Sequence, residues 1–219
     1  LALLLFVSLP MSALAATWDI GNGDITVNAG SGGQTVTQGS QVDVPDSAPV
    51  ITGSSTENTL TINAEKDQTA NVTLSDVNID VSSAGKAAVS TTGEGNVSIE
   101  LNGGSTLRSG YEHAGLEKNN GGKLTIADKD KNGKLTAEGG KYGAGIGTGR
   151  VRTWRSPWMN LDDGGDMSGT ITIGGNAKVT AKSEGSAAGM GTGGEGEMSG
   201  TITIGDNATH RNNLANNIL

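Results

Sequence analysis

Four acidic residues in the last third of the chain are the first candidates for chemistry. Asp166 and Glu197 occupy equivalent positions of two similar segments, and Asp163 and Glu195 lie close to them in sequence. If the two segments stack as neighbouring turns, the carboxylates of Asp166 and Glu197 lie about 4.8 Å apart, one strand spacing. Carboxylates this close repel each other unless a cation lies between them. The pattern indicates either a calcium site or a solvated acidic edge.

A second calcium candidate is the run 128–133. Asp128, Asp130 and Asn132 alternate with lysines and precede a glycine, like the first half of an EF-hand loop, whose oxygen ligands wrap the ion. The loop's bidentate acid belongs at its twelfth position, but Gly139 stands there and Glu138 comes one residue early. Strand-like runs flank the segment. A polar turn between two strands is therefore the alternative interpretation.

Aromatic residues are the third candidate group. The chain contains few of them, and Tyr111, Tyr142, Trp154 and Trp158 all lie in its second half. Exposed aromatic rings stack on the C–H faces of sugars while neighbouring polar groups bind the hydroxyls. These four residues are therefore candidate carbohydrate contacts. The alternative is that each ring packs a loop onto the body of the protein.

Small residues are predicted to form a smooth stripe beside the tyrosines. Ala88, Gly115, Gly145 and Gly189 fall at matching positions and are assigned to the outward face of short strands. A surface with almost no side chains would let a flat polymer approach the backbone. We therefore expect Gly115, Gly145 and Gly189 to form the floor of a groove for a linear glycan along the long axis.

Signals for catalysis are weak. Arg108 lies beside Asp80 in the predicted register, which would suit a base acting next to a sugar carboxylate, but a surface ion pair is the commoner explanation. His113 and His210 lie in unrelated contexts without a nucleophile. The glycines of 143–149 alternate and lack the lysine of a phosphate-binding loop. We expect a non-catalytic protein.

An internal repeat determines the elements that must position these residues. The octet MSGTITIG at 167–174 recurs at 198–205, and short apolar triplets recur along the chain between glycine-rich turns. Self-similarity at this spacing is typical of stacked repeats, since one turn cannot bury its own apolar face. Three short strands per turn predict an all-β fold, a right-handed parallel β-helix with an irregular N-terminal capping region.

The repeat also predicts which side chains face inward. Val89, Leu116, Ile146 and Met190 should form one interior column. Aligning the triplets that begin at Val72, Val97, Leu124, Ile171 and Ile202 places Thr73, Ser98, Thr125, Thr172 and Thr203 in one outward ladder. Aligning the next strands places Ile79, Leu107, Leu135 and Val179 in a second interior column.

Composition and termini predict the setting. The chain has no Cys and a net charge of −8, which exclude a disulfide framework and argue against nucleic acid as a partner. Residues 1–15 resemble a truncated signal peptide that ends in an A-x-A cleavage site, so we expect a secreted protein without a transmembrane segment after cleavage. We predict a cap with the first strands over 16–70, coils over 71–209 with a loop insertion at 150–166, and an irregular tail over 210–219. We expect this tail to be the end of a fragment whose further domains are missing.

Several of these segments resemble a known family. The run Trp18–Ile20, the stretch 70–79, and 135–140 leading into 143–147 are similar to extracellular right-handed β-helix proteins of Gram-positive bacteria of the carbohydrate-binding type. The resemblance covers nearly all of 18–207. It implies a polysaccharide or glycan surface as the partner, calcium as a candidate cofactor, and an extracellular location that includes attachment to the cell surface. A lyase-like enzyme or a structural stalk is the alternative.

Overall fold

A computed structural model describes residues 15–150, 153–156, 159–161, 165–194, 196–205 and 207–213, with the main chain alone for 153–156, 159–161 and 210–213. Trp158, Asp163 and Glu195 lie outside this part of the chain, as does the side chain of Trp154. Within the described residues no helix is long and apolar enough to cross a bilayer.

The described secondary structure consists of short strands and one 3-10 helix at Ile20–Asn22. In chain order the strands are β1 (Thr17–Asp19), β2 (Ile25–Gly30), β3 (Gly33–Gln38), β4 (Gln41–Pro45), β5 (Val50–Thr52), β6 (Ser54–Ser55), β7 (Leu60–Ala64), β8 (Thr69–Ser75), β9 (Asn78–Asp80), β10 (Val89–Gly93), β11 (Asn96–Asn102), β12 (Gly104–Arg108), β13 (Leu116–Lys118), β14 (Lys123–Ala127), β15 (Lys134–Gly139), β16 (Ile146–Gly147), β17 (Thr153–Ser156), β18 (Met159–Leu161), β19 (Thr170–Ile173), β20 (Lys178–Ser183), β21 (Met190–Gly191), β22 (Thr201–Ile204) and β23 (Thr209–Asn213).

The strands form three long sheets, each built from roughly every third strand along the chain. Sheet 1 has the order β1-β5-β8-β11-β14-β19-β22, and sheet 2 has the order β6-β9-β12-β15-β20-β23. Sheet 3 runs β21-β16-β13-β10-β7-β2 and continues into β3 and β4. Each coil visits sheets 1, 2 and 3 in turn, and the strands of successive coils pair in parallel. The predicted all-β, solenoid-like architecture with parallel sheets is confirmed.

The interior column predicted in sheet 3 is confirmed. Val89 pairs with Leu116, Leu116 with Ile146, and Ile146 with Met190, and all four are buried. The column also extends toward the N-terminus, where Leu60 pairs with Val89. Stacking aliphatic side chains on one another lets the coils share one apolar core, because no coil has enough apolar surface to form a core alone.

The registers of two predicted ladders are wrong by two residues. In sheet 1, Ile99 pairs with Val72, so Thr73 lies opposite Glu100 rather than Ser98. In sheet 2, Leu107 pairs with Ala137 rather than Leu135. A shift of two keeps every side chain on its own face, so the alternation of apolar and polar residues fits both registers equally. The later part of the hydroxyl ladder, Ser98, Thr125, Thr172 and Thr203, is confirmed.

The capping region is smaller than predicted. β1 already pairs in parallel with β5, and β5 pairs with β8, so the stacked coils begin at Thr17. Only β3 and β4, which pair antiparallel with β2 and with each other, extend sheet 3 beyond the first coil. Trp18 is buried there, and its Nε1 donates to Asp46 Oδ2 at 2.9 Å. This contact ties the first coil to the segment that follows the cap.

The C-terminal boundary also differs from the prediction. β23 pairs in parallel with β20, with His210 opposite Val179 and Asn212 opposite Ala181. The polar residues at these positions led us to predict an irregular tail from residue 210. A parallel ladder is made by main-chain groups, however, so it continues through polar residues as far as Asn213.

Turns between sheets 1 and 2 rely on an aspartate and a glycine in neighbouring coils. Asp76 Oδ1 accepts a hydrogen bond from Gly104 N at 2.8 Å and lies against Gly103, where a Cβ atom would collide with the carboxylate. Gly103 has φ of 71°, a conformation that favours glycine. Gly53, with φ of 88°, lies against the Asp19 carboxylate in the same way near the first coil, although Asp19 Oδ1 accepts from Gly21 N instead. The corner therefore stays tight from coil to coil.

Candidate functional site

The predicted insertion interrupts the coils between β16 and β19. Its described part is an antiparallel hairpin, β17 with β18, in which Trp154 lies opposite Asn160. Thr148 ties the far end of the insertion to the coil, because its hydroxyl donates to Gly165 O and accepts from Gly193 N at 3.1 Å. Residues on both sides of the insertion border a cleft.

This cleft, called the first cleft below, has a volume of about 370 Å³. Its lining residues come from the turn before β13, from β13 itself and the residue after it, and from both ends of the insertion: Glu112, His113, Glu117, Asn119, Thr148, Gly149, Arg150, Gly165 and Asp166. Glu117 takes an outward position on sheet 3, between Ser90 and Gly147 of the neighbouring coils. Glycine is required at 147, because a Cβ atom there would lie 1.7 Å from Gly191 O.

Glu117 is the centre of the hydrogen bonding in the first cleft. Its Oε2 lies 2.9 Å from His113 Nδ1 and accepts from Ala114 N at 3.0 Å, while its Oε1 accepts from Asn119 Nδ2 at 2.9 Å. Burial disfavours the charged form, but these hydrogen bonds outweigh it and hold the pKa of Glu117 below its usual value. The hydrogen bond to Glu117 raises the pKa of His113 against the opposing effect of partial burial.

Two tyrosines from consecutive coils stand beside this cleft. The rings of Tyr111 and Tyr142 meet edge to face with centroids 5.7 Å apart. The Arg150 guanidinium lies 4.3 Å from the centroid of the Tyr142 ring, and Lys141 Nζ lies 5.1 Å from it. Tyr111 is 48% exposed. The tyrosine pair therefore presents one accessible ring, Tyr111, on a base fixed by Tyr142 and Arg150.

Lys118 is a buried residue of β13 that connects two segments next to the first cleft. It lies opposite Thr91, faces the interior and is 2% exposed. Its Nζ donates to Asn120 O at 2.7 Å and to Ser168 O at 2.9 Å. Burial lowers the pKa of this amine. Lys118 thus joins the turn after β13 to the segment just before β19 and holds one side of the insertion in place.

The smooth outward stripe predicted for the glycan is wrong. Gly115, Gly145 and Gly189 are buried, and so is Ala88. The three glycines occupy bends just before the third strand of each coil, where the alternation of a strand does not apply. A Cβ atom at Gly115 would lie 2.6 Å from Glu138 N, so glycine is required where this bend packs against sheet 2.

The described residues at the two predicted calcium places form hydrogen bonds within the protein. Asp166 and Glu197 are neighbours, but Asp166 Oδ1 accepts from Glu197 N at 2.9 Å and both residues are exposed. Asp128 is buried, and its Oδ2 accepts from Gly133 N at 2.9 Å.

Asp130 and Asn132 are exposed, and Asn132 Nδ2 donates to Asn102 in the preceding coil. No group of three or more His, Asp or Glu side chains that could hold a metal occurs in the part of the chain that the structure describes. Calcium binding stays a prediction.

The pair formed by His113 and Glu117 could not be predicted from the sequence. The two residues are four apart, a spacing that signals proximity on a helix but not in a turn that leads into a strand. The predicted ion pair of Arg108 with Asp80 is present, at 3.7 Å between NH1 and Oδ2, and Arg108 also contacts Glu138.

No protein-family model, curated protein or solved structure matches this chain.

Proposed function

We propose that this chain is a non-catalytic carbohydrate-binding or adhesion module, and that the first cleft together with the Tyr111 ring is its binding site. The observation that carries the proposal is an accessible aromatic ring beside a polar cleft of about 370 Å³. Carboxylates, an amide and a guanidinium border that cleft and suit hydrogen bonds to sugar hydroxyls. Sugar rings commonly bind by this combination of stacking and hydrogen bonds.

The glycan would follow a different path from the one expected from sequence. Because the glycine bends are buried, they offer no floor along the long axis. The accessible features are instead the Tyr111 ring, in the turn between sheets 2 and 3, and the first cleft, which this turn borders. We propose that a glycan chain crosses this turn.

Substitution of Tyr111 tests the proposal. Tyr111→Ala should weaken binding of an oligosaccharide identified on a glycan array by about 3- to 10-fold, since a stacked ring contributes about 1 kcal/mol. The melting temperature should change little, because the ring is half exposed. Val42→Ala is the matched control, as Val42 is 64% exposed and belongs to the cap. Unchanged affinity in Tyr111→Ala, or loss of affinity in Val42→Ala, would contradict the proposed site.

We further propose that the solenoid is right-handed and that the protein is secreted, with attachment to the cell surface as an option. Right-handed connections between parallel strands are strongly preferred, which supports the handedness. The apolar run and A-x-A pattern within 1–15 support export. N-terminal sequencing of the exported protein should then give a start near Ala16. A product that retains Leu1–Ala15 would contradict the signal peptide.

A polysaccharide lyase is the second candidate, and a specific observation favours it. The first cleft contains an imidazole, a guanidinium and carboxylates together, at His113, Arg150 and Glu117. Such groups can neutralise a uronate and move a proton. Incubation with polygalacturonate, followed by ultraviolet detection of unsaturated products, separates the two candidates. A binding module gives no such absorbance.

A further inference from the structure

A second cleft is bordered by Ser109, at the start of the turn that carries Tyr111. It has a volume of about 200 Å³ and is lined by Ser82, Arg108, Ser109, Glu138, Gly139 and Glu184. Ser109 borders this second cleft, whereas Glu112 and His113 border the first. The turn at 109–113, with Tyr111 in its middle, therefore borders both clefts.

The arginines of both clefts already have carboxylate partners. In the second cleft, Arg108 Nε lies 2.7 Å from Glu138 Oε2, and its NH1 lies 3.7 Å from Asp80. In the first cleft, Arg150 NH1 lies 3.9 Å from Glu112 Oε1, and its guanidinium covers the Tyr142 ring. A uronate would have to compete with these internal acids for each arginine.

The carboxylates that line each cleft outnumber its cationic side chains. The first cleft has Glu112, Glu117 and Asp166 against one arginine and one histidine, and the second has Glu138 and Glu184 against one arginine. Asp166 and Glu184 are exposed at the two clefts. Two lysines outside the linings add positive charge: Lys141, which lies over the Tyr142 ring, and Lys182, which is paired with Glu138 at 2.7 Å. Asp80, which contacts Arg108, adds a negative charge. The residues that line each cleft therefore carry a net negative charge.

We infer that the ligand is an uncharged glycan and that the two clefts exclude polyuronates by charge repulsion. This inference rests on the proposed carbohydrate-binding function and names its ligand class. Sugar hydroxyls donate well to carboxylates, so the acidic walls suit a neutral chain. Repulsion by like charges is a common way to reject a competing partner. The negative charge of the clefts also disfavours binding of polygalacturonate, the substrate considered for a lyase.

A comparison of neutral and acidic hexasaccharides tests the inference by calorimetry. The neutral probes are cellohexaose, xylohexaose and mannohexaose, and the acidic probe is hexagalacturonate. At low salt, the wild type should bind its best neutral probe at least about 10-fold more tightly than hexagalacturonate, and added salt should narrow this gap because it screens the repulsion.

A charge-removing variant supplies the second measurement. Asp166→Asn with Glu184→Gln should raise the affinity for hexagalacturonate, relative to that for the neutral probe, by about 3-fold or more, because two repelling charges are removed. Glu57→Gln with Glu94→Gln removes the same charge from exposed residues outside both clefts and should change neither affinity.

The outcomes separate the two claims. Equal or tighter binding of hexagalacturonate by the wild type overturns the inference and leaves carbohydrate binding intact. A gain in hexagalacturonate affinity that the control pair reproduces also overturns it, since the effect would then come from the overall charge. Binding of none of the four probes overturns the proposed function and this inference with it.

Discussion

Arg108 and Glu138 face each other on neighbouring strands of sheet 2, with Arg108 Nε 2.7 Å from Glu138 Oε2. Glu138 also accepts from Lys182 Nζ at 2.7 Å in the next coil, and Arg108 reaches back to Asp80 in the previous one. Negative and positive charges thus alternate along four coils. A two-residue change of register would remove every one of these contacts, so the charges favour the observed pairing over the alternative that the apolar pattern also allows.

Reversal of the central charge should destabilise this ladder. Glu138→Lys places three cations in consecutive coils and should lower the free energy of unfolding by about 1–2 kcal/mol, because like charges directly opposite each other repel. Glu138→Gln should cost about 0.5–1 kcal/mol, since the arginine and lysine are partly exposed. Urea denaturation at low and high salt checks both values. A loss for Glu138→Lys that salt does not reduce would contradict the electrostatic origin.

Ile146 tests the interior column of sheet 3. Ile146→Asp buries a carboxylate between Leu116 and Met190 and should cost more than about 4 kcal/mol, enough to prevent cooperative folding. Thr125→Asp is the control, because Thr125 occupies an outward, partly exposed position of sheet 1. Circular dichroism during heating distinguishes the variants. A soluble Ile146→Asp protein with a sharp transition would refute the column.

Gly145 tests the buried bend that replaces the predicted groove. A Cβ atom there would lie 2.7 Å from the carbonyl carbon of Ala181, so Gly145→Ala should cost about 1–3 kcal/mol through overpacking. Gly104→Ala is the control, because no atom lies within 4 Å of its added Cβ. Chemical denaturation should show a lower midpoint for Gly145→Ala alone. Equal midpoints would mean that the bend is open to solvent.

The pair of His113 and Glu117 predicts a stability maximum with respect to pH. The pKa of His113 is raised above 6.5, so its contribution is complete below pH 6.5 and is lost as pH rises through the raised pKa. The pKa of Glu117 is lowered below 4.5, so its contribution is complete above pH 4.5 and is lost as pH falls through the lowered pKa. The pair should stabilise the fold most between these two limits.

Glu117→Gln provides the comparison. The difference in melting temperature between the wild type and this variant should be largest between pH 4.5 and 6.5 and smaller on either side. Proton NMR of a His210→Gln background leaves one imidazole to follow, since the chain has 2 histidines. The pKa of His113 should fall toward 6.5 in Glu117→Gln. A pKa that does not move would show that Glu117 is not its main partner.

Much of the architecture could be predicted from the sequence. The repeated octets at 167–174 and 198–205 fixed the stacking of the last coils, and Met167 does pair with Met198. Apolar residues at alternate positions specified the interior column through Ile146. These predictions succeed because two local properties of the sequence carry them: side chains alternate along a strand, and the spacing of a repeat is the same in each stacked coil.

The tertiary structure alone decided the register in sheets 1 and 2, the burial of the glycine bends and the partners of Glu117. Apolar alternation cannot choose between registers two residues apart, so Glu100 rather than Ser98 lies opposite Thr73. The bend at Gly115 is buried because a neighbouring sheet packs against it. Glu117 meets His113 because the turn before β13 folds back over the sheet, and this path depends on contacts between coils that no local pattern encodes.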